Sequence, residues 1–130
     1  MDYDLANPLG REFTLIVKGV ERTDLANFEL IKKAISEAAT SESMSVLKFG
    51  INENKNNGTT IIGILNRSHI IVHTFPEFRT MYVSIYTSKG PREGQSMVRI
   101  FTKYIPHTDV IVTDRRIDLL KSSGMLGKIV

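Results

Sequence analysis

Polar and apolar positions along this chain alternate with two different periods, and the changes of period mark its elements. From residue 11 to 20, Phe13, Leu15 and Val17 fall at every second position, the pattern of a strand with one buried face. The period then lengthens: Leu25, Phe28, Ile31, Ile35 and Ala38 recur at helical spacing behind the capping oxygens of Thr23 and Asp24, which predicts an amphipathic helix over residues 24 to 38. Ser45 to Ile51 reads as a second strand. The polar run from Asn52 to Gly58 follows, and its Asn57-Gly58 suits a hairpin turn with positive backbone angles. Three short β-branched or aromatic runs come next, Thr59 to Leu65, His69 to Phe75 and Thr80 to Thr87, with Pro76 breaking between the last two. Pro91 suits the first turn of a second helix carrying Met97, Val98, Phe101, Tyr104 and Ile105 on one stripe. Val110 to Val112 closes as a strand.

The predicted order is β, α, β, β, β, β, α, β. Consecutive strands joined by short links favour an antiparallel sheet covered on one face by two helices, a two-layer α+β sandwich filled by a single domain over residues 1 to 130. The second sheet face then needs cover. The row Thr80, Tyr82, Ser84, Tyr86 and Ser88 presents an amphipathic surface there, which a ligand or a second copy of the chain would fill.

Composition narrows the classes. With 130 residues and 42% hydrophobic positions the chain can bury one core, and the absence of any cysteine excludes disulfides, thiolate metal sites and a cysteine nucleophile. No run approaches the roughly 20 apolar residues that span a bilayer, so a cytoplasmic protein without a membrane partner is expected. The 17 basic residues are spread along the chain among 14 acidic ones, which speaks against a nucleic-acid partner despite the net charge of +3.

Candidate chemistry concentrates in Arg67-Ser68-His69-Ile70-Ile71-Val72-His73-Thr74-Phe75-Pro76-Glu77. A hydroxyl, two imidazoles and a carboxylate lie within a few residues of an apolar strand. Taken singly, each has a bland reading: Ser68 capping a turn, a hydrogen-bonded strand histidine, Phe75 in the core, Glu77 on the surface. His69 and His73 share a strand face, but a metal site would need His107 from a distant segment, so no metal is expected. Neither a nucleophile elbow nor a phosphate-cradling glycine loop occurs.

Together, the run from Gly58 to Glu77 resembles the signature of the short prokaryotic S-adenosylmethionine decarboxylase proenzymes, in which Glu-Ser-His is followed by three apolar residues, His-Thr-Trp-Pro-Glu and, later, Phe-Thr-Cys-Gly. Gly10-Arg11, the first helix and Tyr86-Thr87-Ser88 extend the similarity over most of residues 10 to 115. The resemblance implies self-cleavage of the Arg67-Ser68 bond by the Ser68 hydroxyl and conversion of Ser68 to a pyruvoyl group, with no external cofactor and no metal. It implies decarboxylation of S-adenosylmethionine, or of another amino acid, in polyamine biosynthesis. His73 matches the histidine that moves protons during processing, Ser88 stands at the position of the catalytic acid, and Thr60, Phe75 and Glu77 match substrate-binding positions. The family architecture implied is a homodimer whose two sandwiches stack into four layers, αββα, with active sites at or near the interface.

Four positions depart from the signature. Ser88 replaces the cysteine, and an alcohol is a far weaker acid than a thiol of pKa about 8.5. Arg67 replaces a glutamate, Phe75 a tryptophan and Ser84 an aspartate, and the loop from Asn52 to Asn57 lacks the aromatic that stacks on adenine. These departures keep a second reading open, an uncleaved paralogue that binds a metabolite or regulates an active relative. An unbroken strand would also place Ser68 and His73 on opposite faces, so their cooperation requires a bend or bulge near Ser68.

Overall fold

The structure is a computed structural model that describes residues 8–54 and 58–122. Its elements are β1 (Leu9–Lys18), α1 (Arg22–Leu25), α2 (Phe28–Ser41), β2 (Lys48–Asn54), β3 (Gly58–Leu65), β4 (Ser68–Phe75), a 3-10 turn at Pro76–Phe78, β5 (Thr80–Thr87), α3 (Gln95–Tyr104) and β6 (Asp109–Asp118). The six strands form one sheet in the order β2-β3-β4-β5-β1-β6, and every neighbouring pair is antiparallel. The α+β reading therefore holds, with helices on one face of an antiparallel sheet.

Alternation decides which side chains meet the helices. Phe13, Leu15 and Val17 of β1, Ile61 and Leu65 of β3, Ile70 and Val72 of β4, and Met81, Val83 and Ile85 of β5 are buried. They pack against Ile31, Ala34, Ile35 and Ala38 of α2 and Met97 and Phe101 of α3. Each large side chain so buried contributes about 1.5–3 kcal/mol relative to exposure. Gly63 sets how closely α2 approaches: a Cβ there would lie 2.6 Å from Ile35 Cγ2, so a side chain would push the helix off the sheet.

Boundaries moved where polar atoms decide them. The single helix expected over residues 24 to 38 is divided, because the Asn27 side chain accepts from the Leu30 N–H at 3.1 Å and starts α2 anew. Pro91 lies in a loop, and α3 begins four residues later behind Gly94. That residue has φ +103, and a Cβ on it would meet Phe13 Cε2 at 2.7 Å. The loop is held by the Arg11 guanidinium, which donates to the Pro91 carbonyl, and by Lys89 Nζ, which donates to the Glu42 carbonyl at 2.6 Å. Strand β2 lies three residues beyond the expected Ser45 to Ile51, since pairing with β3 continues through polar Asn52, Glu53 and Asn54. The Asn57 half of the expected turn is outside the described residues. Strand β6 is far longer than Val110 to Val112 because its second half is joined to β1 by charged pairs. Arg11 donates to Asp114 at 2.5 and 2.7 Å, and Arg115 donates to Glu12 at 2.7 Å.

The opposite sheet face carries Ile16, Ile64, Phe75, Tyr82 and Ile111 with 37 to 47% of their surface open. Among the described residues no helix lies on it.

Candidate active site

The β3–β4 hairpin carries most of the chemistry-bearing run. Leu65 pairs with Ser68, which leaves Asn66 and Arg67 as a two-residue turn. Arg67 sits at φ +54, a left-handed conformation that costs a side-chain-bearing residue roughly 1–2 kcal/mol. Ser68 follows at once. Its side chain points to the helix face and is only 7% exposed, and its Oγ accepts the Ser88 N–H at 3.1 Å. Ser88 comes immediately after the last residue of β5, two residues beyond the Tyr86 that pairs with His69. The fold thus joins two predicted residues, Ser68 and Ser88, across twenty positions of sequence.

A second pair forms on the open face. His73 Nδ1 and Thr60 Oγ1 hydrogen-bond at 2.8 Å across the β3–β4 ladder, and the His73 ring lies 6.4 Å from that of Tyr82. Phe75 shares this face two residues further on, and Glu77 is exposed in the 3-10 turn beyond it. Thr60, His73, Phe75 and Glu77 therefore gather toward one end of β4, with Ser68 and Ser88 at the other.

The bend or bulge expected near Ser68 if Ser68 and His73 cooperate is absent. Every residue from His69 to Phe75 has a partner on β5, and Thr60 to Leu65 pair with Ser68 to His73 without an extra residue, so no bulge interrupts β4. Five residues of extended strand span about 17 Å, and the two side chains project to opposite faces.

His69 adjoins Ser68 but projects to the open face. Its Nε2 lies 3.3 Å from Ser84 Oγ, and its ring centroid is 6.0 Å from that of Tyr86. Burial pulls this imidazole below its ordinary value, and the Glu12 carboxylate pulls it partly back. The register sets Tyr86 beside Glu12 and Glu12 beside Arg115, so one row crosses β4, β5, β1 and β6. The sequence pattern alone could not identify Glu12 and Arg115 as neighbours of the site, because 103 positions separate them and only the β1–β6 pairing joins them. Among the described residues no group of three or more His, Cys, Asp or Glu could hold a metal ion, and His107 instead hydrogen-bonds to the Ile105 carbonyl at 2.6 Å. No described helix is long and apolar enough to cross a membrane.

A single helical layer on an antiparallel sheet, with a hydroxyl held at a strained hairpin turn and imidazoles on the bare face, defines the class: an α+β sheet protein built around a serine hairpin. The family model for S-adenosylmethionine decarboxylase matches residues 12–116. The chain belongs to the S-adenosylmethionine decarboxylase family. Among curated relatives, the S-adenosylmethionine decarboxylase proenzyme of Aeropyrum pernix is 37% identical over 76 residues, covering 52% of this chain and 55% of the relative. That of Brevibacillus brevis is 31% identical over 78 residues, covering 60% and 59%. That of Acetivibrio thermocellus is 27% identical over 81 residues, covering 62% and 65%. The matches thus span between 55 and 65% of these relatives' lengths. The crystal structure of the adenosylmethionine decarboxylase from Aquifex aeolicus superimposes with a TM-score of 0.76 over 92% of this chain and 98% of that one; at 18% identity this establishes the shared fold.

Proposed function

We propose that the chain is a self-processing, pyruvoyl-dependent decarboxylase acting on S-adenosylmethionine or a related amino acid. The observation that carries the reading is the Ser68 hydroxyl, held by the Ser88 N–H directly after a residue in left-handed conformation. A donated hydrogen bond favours the developing alkoxide, and the strained turn favours rearrangement of the peptide bond preceding the serine. Ser68 Oγ attacks the Arg67 carbonyl carbon, the C–N bond breaks, and the amide nitrogen takes a proton, leaving an ester. Loss of the Ser68 Cα proton then expels the Arg67 carboxylate, and water releases ammonia to leave the ketone. A pyruvoyl group at position 68 supplies an electron-withdrawing carbonyl that accepts the electron pair left when carbon dioxide departs.

Ser68 and His73 lie too far apart to cooperate within one chain, so we infer that His73 of a second copy is the processing base and that the hairpin turn first carries the Ser68 hydroxyl from the helix face to the open face. Two sheets stacked through their open faces about a twofold axis set the Thr60–His73 end of one over the Ser68 end of the other, and they cover Ile16, Ile64, Tyr82 and Ile111. The same stacking brings Thr60, Phe75 and Glu77 of one copy toward the ketone of the other, where they would bind substrate. Such a dimer has four layers, αββα.

Intact-mass measurement on the purified protein tests the reading: fragments of residues 1–67 and 68–130 are expected, the second blocked at its amino terminus, and Ser68→Ala is expected to remain whole. Mixing Ser68→Ala with His73→Ala chains tests the shared site. Cleavage of the His73→Ala chain in the mixture is expected, and no cleavage would overturn it. Carbon dioxide release from labelled S-adenosylmethionine, arginine and ornithine then assigns the substrate. Ser88 in place of a thiol, together with the Arg67 cation beside the bond, favours a second reading, the uncleaved regulatory or metabolite-binding paralogue. One unbroken mass would support it.

A further inference from the structure

Decarboxylation leaves an electron pair on the substrate carbon that only a proton donor near position 68 can quench, and this cysteine-free chain offers few. Ser88 presents an alcohol, a poor acid near neutrality. The Tyr86 hydroxyl is turned toward β1, over Gly10, where an added Cβ would lie 3.0 Å from it. His73 occupies the far end of β4 in the same chain. His69 is bonded through its own amide nitrogen to the Ser68 carbonyl carbon and projects onto the open face.

Building on the decarboxylase reading above, we propose that His69 is the catalytic proton donor of this chain, a role its neighbours Ser84, Tyr86, Glu12 and Arg115 are placed to tune. The imidazolium N–H gives its proton to the substrate carbon, the electron pair freed from the broken C–C bond forms the new C–H bond, and the neutral imidazole is reprotonated by solvent. The surroundings suit the task. On β5, Ser84 Oγ sits 3.3 Å from Nε2 and the Tyr86 ring lies against the imidazole. On β1, the Glu12 carboxylate is the nearest acidic group of the row, and on β6 Arg115 binds it at 2.7 Å, which restrains how far Glu12 raises the imidazole. On β3 the cross-strand partner is uncharged Ile64, with the Lys48 cation one strand further out on β2. Burial keeps the imidazole below its ordinary value of 6.5, so turnover should rise as pH falls toward the folded-state value.

His69→Gln tests the assignment. The variant is expected to self-cleave, because the base assigned to processing is His73 rather than His69, and to lose about 100-fold or more in kcat, the usual contribution of a general acid. The rise of kcat toward acid pH is expected to vanish with it. In a Ser88→Cys background the thiol provides another acid, so there His69→Gln should cost under about tenfold. A wild-type chain that neither cleaves nor releases carbon dioxide would sink the decarboxylase reading itself. An active wild type with the same kcat and pH profile in His69→Gln would sink only the assignment to His69. Ser84→Asp serves where His69→Gln fails to fold: a carboxylate beside Nε2 should move the fall of kcat with rising pH to higher pH, and an unmoved fall overturns the proposal. Imidazole NMR on the uncleavable Ser68→Ala chain reads the same coupling without turnover, with the His69 titration expected to move up in pH when Ser84→Asp is added.

Discussion

Gly63→Ala puts the packing that holds the serine hairpin to a quantitative test. Gly63 lies on the core face of β3, and its new Cβ would stand 2.6 Å from Ile35 Cγ2, with Ile70 O at 3.6 Å and Phe49 Cε1 at 3.7 Å. Carbon atoms rest at about 3.5–4.0 Å, so the first contact is about 1 Å too close while the other two are ordinary. Ile35 cannot yield cheaply: it is fully buried, its methyl branches from Cβ, and χ1 of a β-branched residue in a helix has one strongly preferred state. Either α2 lifts from the sheet or Ile35 leaves its rotamer, and overpacking of this kind costs about 1–3 kcal/mol. For a chain of this length that corresponds to a fall in Tm of roughly 3–15 °C by calorimetry or circular dichroism. Ile35→Ala alone should cost about 2–5 kcal/mol through its cavity, and the double variant should cost less than the sum by about 1 kcal/mol, because the new methyl enters space vacated by the old one. Stability of Gly63→Ala at or above wild type, or strict additivity in the double variant, would refute the claim that Gly63 seats the helix.

Two further outcomes follow from buried and titrating groups. Thr74→Val removes the hydroxyl that accepts the Thr59 N–H at 2.9 Å and leaves a buried donor without its partner, so urea denaturation should show a loss of about 1–3 kcal/mol with an unchanged m-value. The Arg11 side-chain hydrogen bonds hold the Asp114 carboxyl below its ordinary 3.8, with a smaller Coulombic pull from the same cation, against opposition from burial. The folded state therefore binds this proton less readily than the unfolded chain, so the stabilisation is present above pH 3.8 and lost as pH falls through the folded-state value. Asp114→Asn should flatten that part of the stability profile, and an unaltered acid limb would show that the pair contributes nothing there.

Period and capping are properties of neighbouring residues, so the order of strands and helices and the two faces of each strand could be read from the amino acids alone. The β-branched and aromatic run bounds Thr80 to Thr87 to the residue, and the Ser68-His69 and His73-Thr74-Phe75-Pro76-Glu77 run marks the family without any geometry. Charged and polar pairing escaped the same reading, because the Arg11–Asp114 and Glu12–Arg115 contacts that extend β6 carry no hydrophobic period. Closing a sheet is a long-range event. Only the pairing of β1 with both β5 and β6 aligned His69, Tyr86, Glu12 and Arg115, and only the N–H of residue 88 meeting Oγ of residue 68 joined the two serines. The uninterrupted β4 likewise decided that Ser68 and His73 stand at opposite ends and on opposite faces, since a ladder with every residue paired has no room for the extra one a bulge would need.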